Sequence, residues 1–307
     1  MVKNGNRILK KTKCLSSCGR AKERQKSEII SELRQKYPLK DLLKLSGIAR
    51  STFYYYLKHP NKDKYECEKQ EITNIFNTNK GRYGYRRVLM TMRNKGYYIN
   101  HKTVQKLMRE LGLKGKQRKN GQYHSYKGTV GKVADNILAR DFHSDKPFEK
   151  ITTDVTQFNV CNQKVYLSPV MDLFNREIVS YSISLSPNLW QIREMLDGLF
   201  KKLPCDAKPI FHSDQGWQYQ HAQYQRLLAE HNIIQSMSRK GNCMDNSAME
   251  NFFGRLKVEM FFGEKFESVN AFIDELKNYI HYYNNQRIST KLNGMSPVQF
   301  RTHSLTI

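Results

Sequence analysis

Long hydrophobic runs are missing from this sequence, and cysteine is sparse. No stretch approaches the roughly 20 apolar residues that a membrane-spanning helix needs, and the N-terminal segment holds no apolar run of the secretory kind. The six cysteines are scattered over 307 residues, which is typical of a reduced cellular interior rather than of a disulfide framework. These absences argue against a membrane-spanning protein and a disulfide-stabilised secreted domain, and they predict a cytoplasmic protein with no membrane partner.

Cys14 and Cys18 form the only close cysteine pair. A structural zinc site needs a second pair of Cys or His residues at comparable spacing, and none follows nearby in the sequence. We therefore expect no zinc ion at this pair.

Acidic residues are scarce in the first half of the chain. Residues 1–150 hold 36 Lys and Arg against 13 Asp and Glu, whereas residues 151–307 hold 16 against 15. Nearly the whole net charge of +24 therefore lies in one half, which predicts a phosphate-binding arm for nucleic acid joined to a different, neutral domain. Membrane-surface binding is the alternative, but the basic half carries neither a long amphipathic stripe nor a lipidation signal.

Residues 26–60 carry apolar residues at helical spacing that is broken at Pro38 and again at Gly47. The pattern predicts a helix, a turn and a second helix, as in a helix-turn-helix module that meets DNA with its second helix. A plain helical hairpin that binds nothing is the alternative. Arg50 and the surrounding positive charge favour DNA binding.

Residues 72–120 are predicted to form a second helical module, after a charged linker at residues 61–71. Asn100 is expected to cap a basic helix that ends at Gly112. Interleaved tyrosines indicate a nucleic-acid groove in which bases stack on aromatic rings, with a solvated linker as the alternative. These tyrosines are Tyr83, Tyr85, Tyr123 and Tyr126. The basic residues predicted to contact DNA here are Arg86, Arg87, Lys102 and Lys106.

Residues 151–307, the neutral half, contain strand-like segments. Three runs rich in Val, Ile, Thr, Tyr and Phe are separated by short polar turns, which predicts an antiparallel three-strand meander. Helix-like and strand-like segments then alternate, which indicates one mixed α/β sheet with helices on its faces. The meander runs are residues 151–158, 164–172 and 177–184, and the later strands are residues 209–212 and 233–237.

Three carboxylates stand out in this half. Asp154 lies in the first strand-like run, Asp214 follows the short strand at residues 209–212, and Glu250 lies near the start of a helix. Such side chains converge only through tertiary structure, and converging carboxylates usually hold a metal ion. Oxygen ligands suit Mg²⁺ or Mn²⁺ rather than zinc. The set predicts a metal site for phosphoryl transfer on nucleic acid.

The helix predicted at residues 246–261 places Glu250 at the edge of a buried stripe. At about 100° per residue, Asn246, Glu250 and Lys257 follow one flank of that stripe. Glu250 would then be a metal ligand, and Lys257 would contact a DNA phosphate. A capping box of Ser247 with Glu250 explains the glutamate without catalysis, so the helix alone leaves both interpretations open.

Four more residues are assigned around the carboxylates. His212 and Gln218 are expected to support the loop that carries Asp214. Asn246 either holds the start of the helix or touches DNA, and it is counted among the predicted DNA contacts. Asp172 is a competing carboxylate in the sheet, but it is not expected at a strand end.

Asp154 and several long motifs follow one another along residues 28–303, and two of the motifs contain Asp214 and Glu250. Together they resemble the OrfB product of insertion-sequence-3 family transposases, members of the retroviral-integrase catalytic superfamily. The motifs are residues 83–87, 212–219, 238–250, 282–287 and 292–297.

The resemblance implies an RNase H-like fold, so the expected fold class is α/β, a mixed-sheet catalytic core preceded by small all-helical helix-turn-helix modules. It implies that Asp154, Asp214 and Glu250 are the catalytic triad for two Mg²⁺ or Mn²⁺ ions, with Lys257 as the basic companion of Glu250. The implied reaction is strand cleavage at terminal inverted repeats and transfer of the freed 3′-hydroxyl, without a covalent protein intermediate.

The resemblance also sets the expected partners, which are the element ends, the target DNA and further copies of the chain assembled on DNA. An upstream reading frame usually supplies an end-reading helix-turn-helix and a leucine zipper in this family. No sustained heptad pattern precedes Lys26, so the upstream product is a further expected partner. The expected location is the bacterial cytoplasm, at the nucleoid.

Two other functions remain as alternatives. A DNA-binding regulator with a decayed core would have lost a carboxylate, and all three are present. An RNase H-type nuclease acting on RNA–DNA hybrids would not need the basic N-terminal modules. The expected domains are a basic tail at residues 1–25, helical modules at 26–60 and 72–120, a linker at 121–145, the catalytic core at 146–262 and a C-terminal helix and tail at 263–307.

Overall fold

The computed structural model describes residues 20–59, 63–117 and 133–305. Most of the predicted N-terminal tail and the first part of the linker at residues 121–145 lie outside the described residues, as do Cys14, Cys18, Tyr123 and Tyr126. The chain divides into two compact units, residues 1–67 and 68–307. None of the helices within the described ranges combines the length and the apolar character that a membrane crossing requires.

The first unit contains the helices α1 (Arg20–Leu33), α2 (Leu39–Ser46) and α3 (Arg50–Lys58). Gly47 ends α2 with a φ of 67°, a left-handed conformation that glycine adopts without a Cβ clash. The predicted helix, turn and second helix are therefore confirmed. Their buried core consists of Ile30, Leu42, Ile48 and Phe53.

Three further helices precede the sheet: α4 (Glu66–Thr78), α5 (Tyr85–Asn94) and α6 (His101–Glu110). The linker predicted at residues 61–71 is wrong, because α4 begins inside it and buries Ile72 and Ile75. The predicted cap of α6 is confirmed, since the Asn100 side chain accepts a hydrogen bond from the backbone N–H of Lys102 at 2.9 Å.

The core of the second unit is a six-stranded mixed sheet. Strands β1 and β2 pair antiparallel with successive parts of β3, and β4 pairs antiparallel with the other edge of β3. Strand β5 is parallel to β1, and β6 is parallel to β5. The strands are β1 (Lys150–Thr153), β2 (Thr156–Val160), β3 (Gln163–Asp172), β4 (Ile178–Ser184), β5 (Ile210–Ser213) and β6 (Ile234–Met237).

Strands β1 and β2 are one strand that is interrupted at Asp154 and Val155. Thr153 pairs with Val170 of β3, and Thr156 pairs with Leu167, so the register continues through the break. The predicted antiparallel meander is thus confirmed in its order, but its first run is two strands rather than one. The interruption takes Asp154 out of the regular ladder.

Helices cover both faces of this sheet. On one face, α7 (Leu189–Phe200) and α8 (Ala222–Glu230) bury Met195 and Tyr224 against strand residues such as Phe211. On the other face, α9 (Ser247–Leu256) and α10 (Val269–Asn285) pack Phe252 and Phe272 against Phe158 of β2. The chain continues through a 3₁₀ turn at Thr290–Leu292 to α11 (Pro297–Leu305).

The single helix predicted at residues 246–261 is three pieces. Cys243–Asn246 is a 3₁₀ turn, α9 begins at Ser247, and Lys257–Phe261 forms a π-helical turn. Sequence periodicity does not distinguish these pieces because their side-chain spacings are similar. The predicted apolar stripe is confirmed, since all of its members are buried. They are Met249, Phe252, Phe253, Leu256 and Met260.

The π-helical turn carries Glu259 into a buried cluster of charges. Arg287 donates two hydrogen bonds to its carboxylate, at 2.8 and 2.7 Å, and Arg87 and Tyr279 donate one each at 3.0 Å. The main-chain oxygen of Glu259 accepts from Nε of Arg82 at 3.2 Å. Because Arg82 and Arg87 precede the sheet in sequence, this cluster fastens the helical part of the second unit to its core.

The arginines decide the charge state of Glu259. Burial raises the pKa of this carboxyl, but the hydrogen bonds and charges of Arg287 and Arg87 outweigh burial and lower the pKa from 4.5 to about 2. Glu259 is therefore ionised at neutral pH inside the protein. A buried carboxylate is tolerated only with such paired and hydrogen-bonded neighbours.

We expect Glu259→Gln to lower the free energy of unfolding at neutral pH by about 3–5 kcal/mol, because removal of one partner leaves buried arginines without a counter-charge. The folded pKa is lowered, so the stabilisation is present above pH 4.5 and is lost as the pH falls through about 2. Urea unfolding of both proteins across this pH range measures it. The control is Glu267→Gln at an exposed position, and an equal effect of the two changes would contradict the expectation.

Candidate active site

Asp154 lies at the break between β1 and β2. Its Oδ1 accepts a hydrogen bond from the backbone N–H of Val155 at 2.7 Å, and its side chain is half-buried. Because the break falls at the carboxyl end of β1, the side chain is at the edge of the sheet rather than within a ladder.

Asp214 reaches the same edge from the neighbouring strand. Thr152 of β1 pairs with His212 of the parallel strand β5, so Asp154 and Asp214 both lie two residues beyond this pair. The carboxyl ends of parallel strands meet at one edge of a sheet, where functional crevices form in α/β proteins. The predicted strand-end setting of Asp214 is confirmed.

Gly216 shapes the loop around Asp214. Its backbone N–H donates to Oδ1 of Asp214 at 2.9 Å. A Cβ at this position would lie 2.9 Å from that oxygen and 2.5 Å from Nε2 of Gln218. Both distances are too short for real contacts, so a side chain here would displace the Asp214 carboxylate and the Gln218 amide, whereas glycine permits the close approach of backbone and carboxylate. Gln218 thus packs on the Asp214 loop, in agreement with its predicted supporting position.

Glu250 is brought to this edge by the start of α9. The side chain of Asn246 accepts a hydrogen bond from the Thr152 hydroxyl at 2.6 Å and donates one to the main-chain oxygen of Thr153 at 3.0 Å. These two bonds tie the residue before α9 to the end of β1. Glu250 follows one helical turn later and is half-buried.

The DNA contact predicted for Asn246 is wrong, because its side chain is only 4% exposed and is occupied by β1. The other interpretation, that Asn246 holds the helix start, is the one that the structure supports. Sequence alone could not choose between them, since asparagine serves equally well in an exposed polar contact and a buried amide bridge.

A capping box does not explain Glu250. That motif requires its serine at the N-cap, three positions before the glutamate, whereas Ser247 is the first residue of α9 and Asn246 occupies the N-cap. The Asn246 side chain makes no capping hydrogen bond. Ser247 and Glu250 therefore do not have the positions that the predicted capping box requires.

Electrostatics shows that four predicted residues lie near one another. Burial raises the pKa of Asp154 well above its usual value, the negative charges of Asp214 and Glu250 raise it further, and the positive charge of Lys257 lowers it. Burial also raises the pKa of Asp214, against the hydrogen bond from Gly216. Half-buried carboxylates that repel one another in this way are typical of functional sites.

The donor chemistry of the three carboxylates fits a hard divalent cation. As placed, no three His, Cys, Asp or Glu side chains within the described ranges form a group that could enclose a metal ion. Asp154, Asp214 and Glu250 nevertheless offer only oxygen ligands, as Mg²⁺ and Mn²⁺ prefer. A cation between them would also relieve the repulsion that raises the pKa of Asp154.

His212 and Tyr219 are buried in and next to the strands that lead to Asp154 and Asp214. His212 is fully buried, with its ring nitrogens 2.9 and 3.0 Å from the hydroxyls of Ser236 and Ser238 in and after β6. Burial lowers its pKa to about 4, so the ring is neutral at pH 7. Its predicted supporting position is in agreement with these contacts. Tyr219, which the sequence did not single out, is buried with its hydroxyl 3.5 Å from that of Thr153.

Asp172 lies at the end of a strand, contrary to the expectation from the sequence, but this end is at the edge of the sheet opposite to Asp154. It is the last residue of β3 and pairs with Ile151, near the start of β1, so it lies at the opposite edge of the sheet from Asp154. Its carboxylate accepts backbone hydrogen bonds from Phe148 and Phe174 at 2.9 and 3.0 Å. Burial raises its pKa to about 6. This carboxylate orders a turn and stands apart from the candidate site.

The predicted DNA-contact residues differ in their surroundings. Arg50 is exposed on α3, in the first unit, and Arg86, Lys102 and Lys106 are exposed in the second. Arg87 is half-buried, and its guanidinium forms an ion pair with Glu259, so the DNA contact by Arg87 stays a prediction. Tyr83, expected in a groove, is 1% exposed and its hydroxyl accepts from the backbone N–H of Ile288.

Sequence reasoning also missed Asp245, the residue before Asn246. It is fully buried and accepts side-chain hydrogen bonds from Arg239, Arg140 and Asn136. The hydrogen bonds from Arg239 and Arg140 hold the pKa of Asp245 well below its usual range. Asp245 thereby joins the segment before β1 to the loop that leads into α9. Its adjacency to Asn246 was the only signal in the sequence.

Comparison with protein families divides the chain in the same order. A model described as an integrase core domain matches residues 144–243, and a second with the same description matches residues 250–305. A model described as an HTH-like domain matches residues 62–121.

Curated relatives match along most of the chain. The putative transposase InsK for insertion sequence element IS150 of Escherichia coli (strain K12) is 50% identical over 278 residues, which are 90% of this chain and 98% of the relative. Transposase InsF for insertion sequence IS3A of the same strain is 31% identical over 283 residues, again 90% and 98%.

Solved structures give weaker similarity. A chain of the simian T-cell lymphotropic virus intasome in complex with PP2A regulatory subunit B56 gamma has a TM-score of 0.43 at 14% identity, covering 75% of this chain and 74% of that one. The HTLV-2 integrase catalytic core domain in complex with magnesium has a TM-score of 0.36 at 16% identity, covering 52% and 98%.

We expect Asn246→Ala to lower the free energy of unfolding by about 1–3 kcal/mol, because the buried Thr152 hydroxyl and Thr153 carbonyl lose their partner. DNA affinity should stay unchanged, since the side chain is buried. Urea unfolding and fluorescence-anisotropy titration with duplex DNA measure the two quantities. Asn159→Ala, at an exposed position of β2, is the control. Weakened DNA affinity at unchanged stability would restore the DNA-contact interpretation.

Proposed function

The chain belongs to the insertion-sequence-3 family of transposases, with an RNase H-like integrase core, and on this premise we propose that it cleaves DNA strands at the ends of its insertion sequence. The freed 3′-hydroxyl then attacks a phosphodiester of target DNA, so that the element strand is joined to that phosphorus and the target's own 3′-oxygen leaves as a hydroxyl, in a reaction that depends on Mg²⁺ or Mn²⁺. The observation that carries this proposal is geometric: Asp154 and Asp214 lie two residues beyond one pair of the parallel strands β1 and β5, and the hydrogen bonds of Asn246 bring the helix of Glu250 to the same edge of the sheet.

Asp154, Asp214 and Glu250 would hold the cations in this mechanism. When bound, two divalent ions would supply Lewis acidity at the scissile phosphate and lower the pKa of the attacking water or 3′-hydroxyl. The three residues come from β1, the β5 loop and α9, three separately anchored elements. Their positions are therefore set by sheet pairing and by Asn246 rather than by one flexible loop, which favours preorganisation of charge.

The residues around the carboxylates have supporting roles in the proposal. Lys257 would contact a DNA phosphate beside the carboxylates, in agreement with its electrostatic effect on Asp154. The backbone N–H of Gly216 orients one oxygen of Asp214. Neutral His212 and Tyr219 are both fully buried in and next to β5, and in the proposal they keep the strand ends that carry Asp154 and Asp214 in place.

DNA is the proposed partner, as the ends of the element and as target. The positive charge of residues 1–150 supplies the attraction. Exposed Arg50 on α3 is proposed to meet the element end, and Arg86, Lys102 and Lys106 to contact phosphates. Further copies of the chain on DNA, and the product of an upstream reading frame, are proposed as assembly partners, with the nucleoid as the site of action.

We expect Glu250→Gln to abolish Mg²⁺-dependent cleavage and strand transfer while leaving DNA affinity nearly unchanged. The amide keeps the shape of the side chain but removes the charge that would hold a cation. Cleavage and joining of a labelled duplex that carries the element's own end measure the activity, with and without the upstream-frame product. Anisotropy of the same duplex measures affinity.

Asp274→Asn is the matched control, because it removes a carboxylate that is 73% exposed on α10. It should retain full activity. Strand transfer by Glu250→Gln would overturn the triad assignment. Cleavage by the wild type with no joining in any condition would instead favour a nuclease of RNase H type.

A further inference from the structure

A cavity of about 120 Å³ opens beside α9, on the flank that carries Ser247, Asn251 and Arg255. It is bounded by α9, by the turn between β3 and β4, and by residues 287–297. Four basic side chains line it, together with apolar residues such as Tyr283. The basic residues are Arg176, Arg255, Arg287 and Lys291.

Acidic side chains balance only part of the positive charge of this cavity. Arg287 is neutralised by Glu259. Neither Arg176 nor Arg255 forms an ion pair with a carboxylate among the residues that the structure describes. The carboxylates closest in sequence are already engaged, since Asp172 accepts two backbone N–H groups and Glu177 pairs with Arg301.

Arg176 is half-buried, whereas Arg255 is exposed. Burial, with a smaller effect of the neighbouring charge of Arg255, lowers the pKa of Arg176. An anion in the cavity would offset the desolvation of Arg176 and the repulsion between the two guanidinium groups.

Neutral donors complete the lining. Ser247 and Asn251 face the cavity from α9, and Ser247 is the first residue of this ten-residue helix. The positive end of the helix dipole therefore adds to the field of the arginines. Hydroxyl, amide and guanidinium donors around a small volume match the oxygens of a phosphate group.

Arg176 has a backbone conformation that is less strained for glycine than for any residue with a side chain. Its φ is 64°, in the left-handed region that side chains rarely adopt. The guanidinium donates to the main-chain oxygen of Phe142 at 3.3 Å and lines the cavity. A long cationic side chain is thus kept in a turn whose geometry does not favour it.

We propose that this cavity binds a backbone phosphate of DNA, and that this phosphate is a different one from the phosphate at which the strand is cleaved. Along α9, Ser247, Asn251 and Arg255 follow each other at intervals of four residues, and Arg255 is about 140° around the helix from Glu250. Ser247 and Asn251 are about 60° and 100° from Glu250, so a phosphate held here lies on the neighbouring flank of α9 from the carboxylates. The inference rests on the proposed function only in that DNA is the substrate.

The test is the salt dependence of DNA binding by the full chain in buffer without divalent cations. Each lost phosphate contact lowers the slope of log K against log salt by about 0.9 for duplex DNA. We expect a drop of about this size for Arg255→Gln and for Arg176→Gly, the latter at a position where glycine relieves the backbone. Arg193→Gln, exposed on α7 at the opposite face, should leave the slope unchanged.

A second measurement separates DNA from a free anion. Inorganic phosphate should raise the Tm of the wild type more than that of Arg255→Gln. An unchanged slope in folded Arg255→Gln overturns the proposal and makes these arginines structural partners of Tyr283. A phosphate effect on Tm with an unchanged slope also overturns it, in favour of a free anion. If the wild type binds with the expected slope but cleaves nothing, the phosphate site stands and the proposed function fails.

Discussion

The two hydrogen bonds from Asn246 to Thr152 and Thr153 are the contacts on which the candidate site depends. Sheet pairing alone brings Asp154 and Asp214 together, because β1 and β5 are parallel neighbours in register. Glu250 comes from a helix on one face of the sheet, which hydrophobic packing can position only approximately. A buried amide that both donates and accepts fixes the start of that helix against β1.

The other end of α9 is fixed by charge. Glu259 follows α9 in the π-helical turn, and its carboxylate is held by Arg287 and Arg87. The segment that carries Glu250 and Lys257 is therefore anchored at both ends, by an amide at one and an ion cluster at the other. Arg87 belongs to α5, and its partner Glu259 lies in the π-helical turn that begins at Lys257. A displacement of α5 would therefore also displace the turn that carries Lys257.

Features that depend on local pattern were predictable from the sequence. The strand before Asp214, the Gly47 turn, the Asn100 cap and the apolar stripe of α9 all follow from spacing and from residue types with one dominant use. The partners of Asn246, Arg87 and Asp172 were not predicted, for a common reason. Each is a polar residue whose role is set by a partner distant in sequence, Thr152 for Asn246, Glu259 for Arg87 and the Phe148 backbone for Asp172, and no local pattern encodes that partner.

Net charge was informative at the scale of domains and misleading at the scale of sites. Residues 151–307 are nearly neutral in total, yet their acids and bases are distributed unevenly. The carboxylates of Asp154, Asp214 and Glu250 gather at one flank of α9, while Arg176 and Arg255 gather near the other without a carboxylate ion partner among the described residues. A helix with opposite fields on its two flanks can attract cations on one side and phosphates on the other. A net charge near zero is therefore compatible with a domain that binds cations on one flank of α9 and phosphates on the other.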